Sequence, residues 1–167
     1  MSIDVFAADE QEAHPIDVSR WAELSRQVLA ARGIKGEIEV SLLFVDEDAM
    51  AALNEQFLGR SGPTDVLSFP IEDAVGPTGR SPDLGGSGPG SVAEEGALTL
   101  LGDVVICPAV AARNAGEHEV TFDDEVALLV VHGLLHLLGL DHEQDVEAER
   151  MEALEQHLLT RYYRTTP

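Results

Sequence analysis

The chain has 167 residues, enough for one domain with a sizeable core, and 44% of them are hydrophobic, as is ordinary for a globular protein. Its formal net charge of −21 at pH 7, from 10 Lys and Arg against 31 Asp and Glu, argues against broad electrostatic adhesion to nucleic acid, which needs many cations facing phosphates. A single cysteine (Cys107) excludes an intramolecular disulfide framework, and no apolar run approaches the ~18 residues of a membrane span or the pattern of a secretory leader, so a soluble cytoplasmic protein is expected.

Ile3 to Phe6 alternates briefly, as a short strand does. "IDVSRWAELSRQVLAARG" reads as a helix: Asp17 or Ser19 can cap it, Trp21, Leu24, Val28 and Leu29 form an apolar stripe, and Gly33 ends it. "EIEVSLLFVDE" alternates through Ile38, Val40, Leu42 and Phe44, a strand with one buried face. "DEDAMAALNEQFLG" predicts a second helix with Met50, Leu53 and Phe57 on one face, "RSGPT" is turn chemistry, and "DVLSFP" is a strand closed by Pro70.

Residues 75–96 are dominated by Gly, Pro and Ser and show no apolar periodicity, which predicts a flexible loop. The strand-like "LGDVVIC" resumes after it, so the loop does not divide the chain, and Pro108 can start a helix to about Ala115. "TFDDEVALLVVHGLLHLLG" predicts the buried central helix: Thr121 and Asp124 resemble a capping pair, acidic residues fill the first turn, and Gly139 is a natural stop. "EQDVEAERMEALEQHLLTRYYR" predicts a last amphipathic helix with Val146, Met151, Leu154 and Leu158 inward. The order of elements predicts a single α+β domain spanning 1–167 with about four strands.

Three of the six histidines fall within "HGLLHLLGLDH". His132 and His136 stand four residues apart, so on a helix their imidazoles share one face and can converge on one ion. Gly139 lets the chain turn through positive φ and double back, bringing His142 towards the same point. Two uncompensated imidazoles on so apolar a helix would be costly, and a metal accounts for both. Three neutral nitrogens suit one zinc ion and leave a fourth position for a water of lowered pKa, as in catalytic rather than structural sites. Asp141 either orients a ligand histidine or is a turn residue. His118 and His157 read as surface residues, and His14 as solvated. The spacing matches the metzincin protease pattern, a zinc-binding helix, but Gly133 stands where such proteases carry the Glu that serves as general base.

"HGLLHLLGLDH" resembles the signature of the YbeY endoribonucleases, the bacterial rRNA maturation factors. "LNEQFLGRSGPTDVLSFP" (53–70) resembles that family's central block, "LGDVVIC" (101–107) its following strand and "EAERMEALE" (147–155) its C-terminal helix, so the likeness runs from about Ile38 to Leu158. It implies a mixed four-stranded sheet flanked by helices with the metal in a cleft. It further implies a zinc-dependent, single-strand-acting endoribonuclease serving small-subunit rRNA processing and ribosome quality control, with His132, His136 and His142 as ligands. The expected partners are ribosomal RNA and the ribosome or its associated proteins, with neither DNA nor a membrane. Many members carry Arg directly before the Gly of the central block. Here that position is Leu58, and Arg60 is the candidate to clamp a phosphate or offset developing negative charge, with a surface-turn role as its alternative. Attack by activated water and attack by the RNA's own 2′-OH both remain open. So do two other functions: a metal-dependent hydrolase of a peptide or small molecule, and a non-catalytic assembly factor stabilised by its metal.

Overall fold

The alternation of Ile38, Val40, Leu42 and Phe44 becomes a central strand of a four-stranded mixed sheet, with all four side chains buried on one face. The structure, a computed structural model, describes residues 2–34, 36–71, 98–140 and 145–163. In chain order the strands are β1 (Ser2–Glu10), β2 (Glu37–Val45), β3 (Val66–Pro70) and β4 (Leu98–Ile106). The helices are α1 (Val18–Ala31), α2 (Glu47–Leu58), α3 (Pro108–His118), α4 (Phe122–Leu137) and α5 (Asp145–Leu158), followed by a π-helical turn, Leu159–Tyr163. The spatial order is β1-β2-β4-β3, with β1, β2 and β4 parallel and β3 antiparallel to β4. β3 is therefore an edge strand, where Pro70 costs no ladder bond on its open side.

β1 extends well beyond the expected Ile3–Phe6, pairing with β2 from Ser2↔Glu37 to Glu10↔Val45. α1 joins these parallel strands as a crossover, capped by Asp17, whose carboxylate accepts from the Arg20 amide at 3.3 Å. The expected stripe of Trp21, Leu24, Val28 and Leu29 is buried against the sheet and α4. α4 is buried almost all round, as its composition demands, and α5 closes over it through Met151 and Leu158. A smaller cluster on the other face of the sheet joins Met50 of α2 to Leu67 of β3 and Val105 of β4.

Three expected burials change. Phe57 is 55% exposed although Met50, on the same predicted stripe, is fully buried: Met50 packs into the cluster with Leu67 and Val105, whereas the Phe57 ring meets Phe69 of the edge strand edge-on. Val146 is exposed on the first turn of α5. His14 is half-buried, its ring stacked on Phe122 with centroids 5.3 Å apart. The Gly-rich stretch 75–96, expected to be a flexible loop, lies outside the described residues.

Candidate metal centre

α4 is built to hold side chains in fixed positions. The Thr121 hydroxyl accepts from the Asp124 amide at 3.0 Å, and Asp123, Asp124 and Glu125 occupy its dipole-positive first turn. Apolar residues then anchor it on the sheet, so that His132 and His136, one turn apart, project from the same face. Their Nε2 atoms approach to 3.0 Å, with ring centroids 4.5 Å apart and planes inclined at 72°. Two nitrogens bound to one tetrahedral zinc at ordinary bond lengths would stand about 3.3 Å apart, so the pair needs only a small adjustment to receive an ion.

The tautomer of His132 follows from its other nitrogen. Nδ1 is paired with the Glu155 carboxylate, which reaches across from α5 with its side chain only 9% exposed. A carboxylate can only accept, so Nδ1–H donates and a neutral His132 presents the lone pair of Nε2. Carboxylate–histidine pairs of this kind fix the ring orientation and tautomer of metal ligands. Glu155 belongs to no motif in the sequence that marks it as part of a site. Its signal was an acidic residue on the inward stripe of α5, between Met151 and Leu158, where an apolar one would be expected.

Gly133 has a structural reason. A Cβ at this position would lie 2.6 Å from Val104 Cγ1 and 3.3 Å from both Ser68 Oγ and Val66 Cγ2, so any side chain collides with the sheet. The Ser68 hydroxyl donates to the Gly133 carbonyl at 2.9 Å, which locks this close approach. At the end of the helix Gly139 adopts φ +96°, while the Leu140 amide donates to the Leu135 carbonyl at 3.0 Å and turns the chain. His142 and Asp141, the third expected ligand and the candidate orienting carboxylate, lie outside the described residues. Among the described residues no three His, Cys, Asp or Glu side chains are grouped to hold an ion.

The histidine pair opens onto a cleft of about 770 Å³. The edge strand β3 runs along it, and the C-terminal end of α2 supplies Phe57, Leu58 and, just beyond, Arg60. Arg60 and Leu58 thus face the same cleft as the histidines, and Arg60 is the one Lys or Arg among the described residues lining it. Asn54 pins the turn that carries Arg60. Its Nδ2 donates to the Gly62 carbonyl at 2.9 Å, and its own carbonyl accepts from the Arg60 amide at 3.3 Å. Asp65, the acidic residue of the lining, is engaged by Asn114 Nδ2 at 3.1 Å.

Away from the cleft, the buried Glu125 carboxylate meets His118 Nδ1 at 2.9 Å and raises the His118 pKa above its ordinary value. Burial pushes the Tyr163 hydroxyl to about 12, helped by its hydrogen bond to Asp124. Burial likewise raises the Cys107 thiol, which makes it an inert core residue rather than a nucleophile.

The family model "Endoribonuclease YbeY" matches residues 6–163. Among curated proteins the chain is similar to the endoribonuclease YbeY of Thermobifida fusca, 42% identical over 99% of this chain and 96% of that one. It is also similar to that of Salinispora tropica, 42% identical over 99% and 98%. A third relative, from Acidothermus cellulolyticus, is 44% identical over 87% and 83%. Among solved structures it is similar to the solution structure of TM1509 from Thermotoga maritima, with a TM-score of 0.56 and 26% identity, covering 99% of this chain and 93% of that one.

Proposed function

The chain belongs to the Endoribonuclease YbeY family, and from that premise we propose that it is a zinc-dependent endoribonuclease acting on single-stranded ribosomal RNA in the cytoplasm. Small-subunit rRNA maturation and ribosome quality control are the processes it would serve, with the ribosome or its associated proteins as partners. The observation that carries this reading is the convergence of the His132 and His136 Nε2 atoms, 3.0 Å apart, on the wall of an open cleft.

His132 and His136, with His142 as the third, would hold the ion. When bound, zinc supplies Lewis-acid stabilisation of the phosphodiester and lowers the pKa of a bound water. The chain's own residues supply the rest. Glu155 keeps His132 in the tautomer whose lone pair faces the cleft. Arg60, the cleft's guanidinium, would clamp a phosphate oxygen and offset charge that builds on it, from a turn held in place by Asn54. Peptide hydrolysis by the protease route is disfavoured, because the position that would carry its general base is packed against Val104 with no room for a side chain.

Purified protein loaded with zinc should cleave single-stranded rRNA fragments, and His136→Ala should reduce that cleavage by at least two orders of magnitude. Undiminished cleavage by the His136→Ala protein, purified free of host nucleases, would refute the metal-site reading. The product ends separate the two possible nucleophiles: a 2′,3′-cyclic phosphate marks attack by the RNA's own 2′-OH, and a 5′-phosphate facing a 3′-hydroxyl marks attack by water.

A further inference from the structure

Phe57 breaks the pattern of its own helix. Met50 and Phe57 belong to one predicted apolar stripe, yet Met50 is fully buried and Phe57 is 55% exposed. The exposed ring is nevertheless held in place. It meets Phe69 of the edge strand edge-on, with centroids 5.1 Å apart and planes inclined at 64°, so one side is braced while the rest is open. It also lines the same cleft as the histidine pair and lies three residues before Arg60. A rigid, solvent-facing aromatic ring beside a candidate phosphate-binding guanidinium and a candidate metal centre is what a single-stranded nucleic acid needs for one base.

Charge sharpens the point. At −21 overall, with Arg60 the one Lys or Arg among the described residues lining the cleft, the chain has little electrostatic attraction to offer a polyanion. Beyond Arg60 and a bound ion, affinity has to draw on contacts that do not depend on charge, and base stacking on an aromatic face is one that this cleft offers. Stacking also discriminates strand state. A base inside a duplex has both faces covered by its neighbours, whereas an unpaired base can be splayed onto the ring.

We propose that Phe57 is a base-stacking residue that receives one unpaired RNA base, places the adjoining phosphate towards the histidines, and selects single strands over duplex. The proposal rests on the endoribonuclease reading and names how that same cleft recognises its substrate. The ring reads the base face rather than hydrogen-bonding edges, so the selection it imposes is for an unstacked base and only weakly for its identity. Exposed Leu58 beside it widens the apolar surface under the neighbouring nucleotide.

The test uses the full-length, zinc-loaded protein and a short single-stranded RNA in which one nucleotide at a time is made abasic. Wild-type protein should show one position, near the cleaved bond, where loss of the base raises KM by roughly tenfold or more. Phe57→Ala should raise KM for intact RNA by a similar factor and lose that positional sensitivity, while Phe57→Trp keeps both. Thermal unfolding checks that the exposed substitution leaves the fold intact. Wild-type activity with an unchanged abasic profile in Phe57→Ala overturns the proposal and leaves the endoribonuclease reading standing. Unchanged RNA cleavage together with weakened ribosome binding overturns it in favour of a protein-docking patch. A wild-type protein that cleaves no RNA overturns the endoribonuclease reading and the proposal with it.

Discussion

Two glycine-to-alanine substitutions in neighbouring helices should change stability in opposite directions. In α4, a Cβ on Gly133 would stand 2.6 Å from Val104 Cγ1, about 1 Å inside the distance at which two carbons attract. Val104 is 1% exposed and β-branched, so it has neither free space nor a spare rotamer to move into. Overpacking of this size typically costs about 1–3 kcal/mol. Lifting the helix also weakens the Ser68 to Gly133 hydrogen bond, worth about 1 kcal/mol, while Ala's better helix propensity returns about 1 kcal/mol. Gly133→Ala should therefore destabilise by about 1–3 kcal/mol. Gly116 in α3 has nothing within 4 Å of its would-be Cβ, so Gly116→Ala gains propensity without a clash and should stabilise by about 0.4–1 kcal/mol. Urea unfolding, monitored by the circular dichroism of the helices, reads both midpoints. If Gly133→Ala is as stabilising as Gly116→Ala, the close approach of α4 to β4 is wrong, and with it the reason given for the missing glutamate.

Glu155→Gln keeps the shape of the side chain but weakens the acceptor that orients His132. Zinc affinity, measured by competition with a chromophoric chelator, should fall by about 10- to 100-fold, and unchanged affinity would remove Glu155 from the site. The His118 pair sets a pH dependence. Its pKa is raised chiefly by the hydrogen bond to Glu125, with Glu125, Glu117 and Asp65 charges adding to it, so the stabilisation is fully present below the ordinary histidine value of about 6.5 and is lost as pH rises through the raised folded value. Urea midpoints of the wild type should therefore drop relative to those of His118→Gln across that window, and parallel profiles would contradict the pairing.

Much of the fold was legible because its elements obey local periodicity. The alternation through β2 and the stripe on α1 each placed their residues on the side where they are buried. The histidine spacing likewise required only helix geometry, and His132 and His136 do converge. What sequence reading missed depends on contacts between elements. β1 looked short because it lies at the edge of the sheet with a half-buried face, and its partner β2 sets its length. Phe57 carries the apolar period of α2, but period does not say what each turn of the helix packs against. Glu155 finds its role only when α5 folds over α4, across 23 residues of sequence. Gly133 read as the absence of a protease base, whereas the close sheet packing, invisible in the one-dimensional string, is what excludes any side chain there.

The most direct test is a titration of zinc into chelator-stripped, full-length protein, with the initial rate of single-stranded RNA cleavage as the readout. A single catalytic centre built on His132, His136 and His142 requires activity to rise from near zero in proportion to added zinc and to saturate at one equivalent per chain. Full activity in the stripped protein, or no activity at any zinc level, would contradict it.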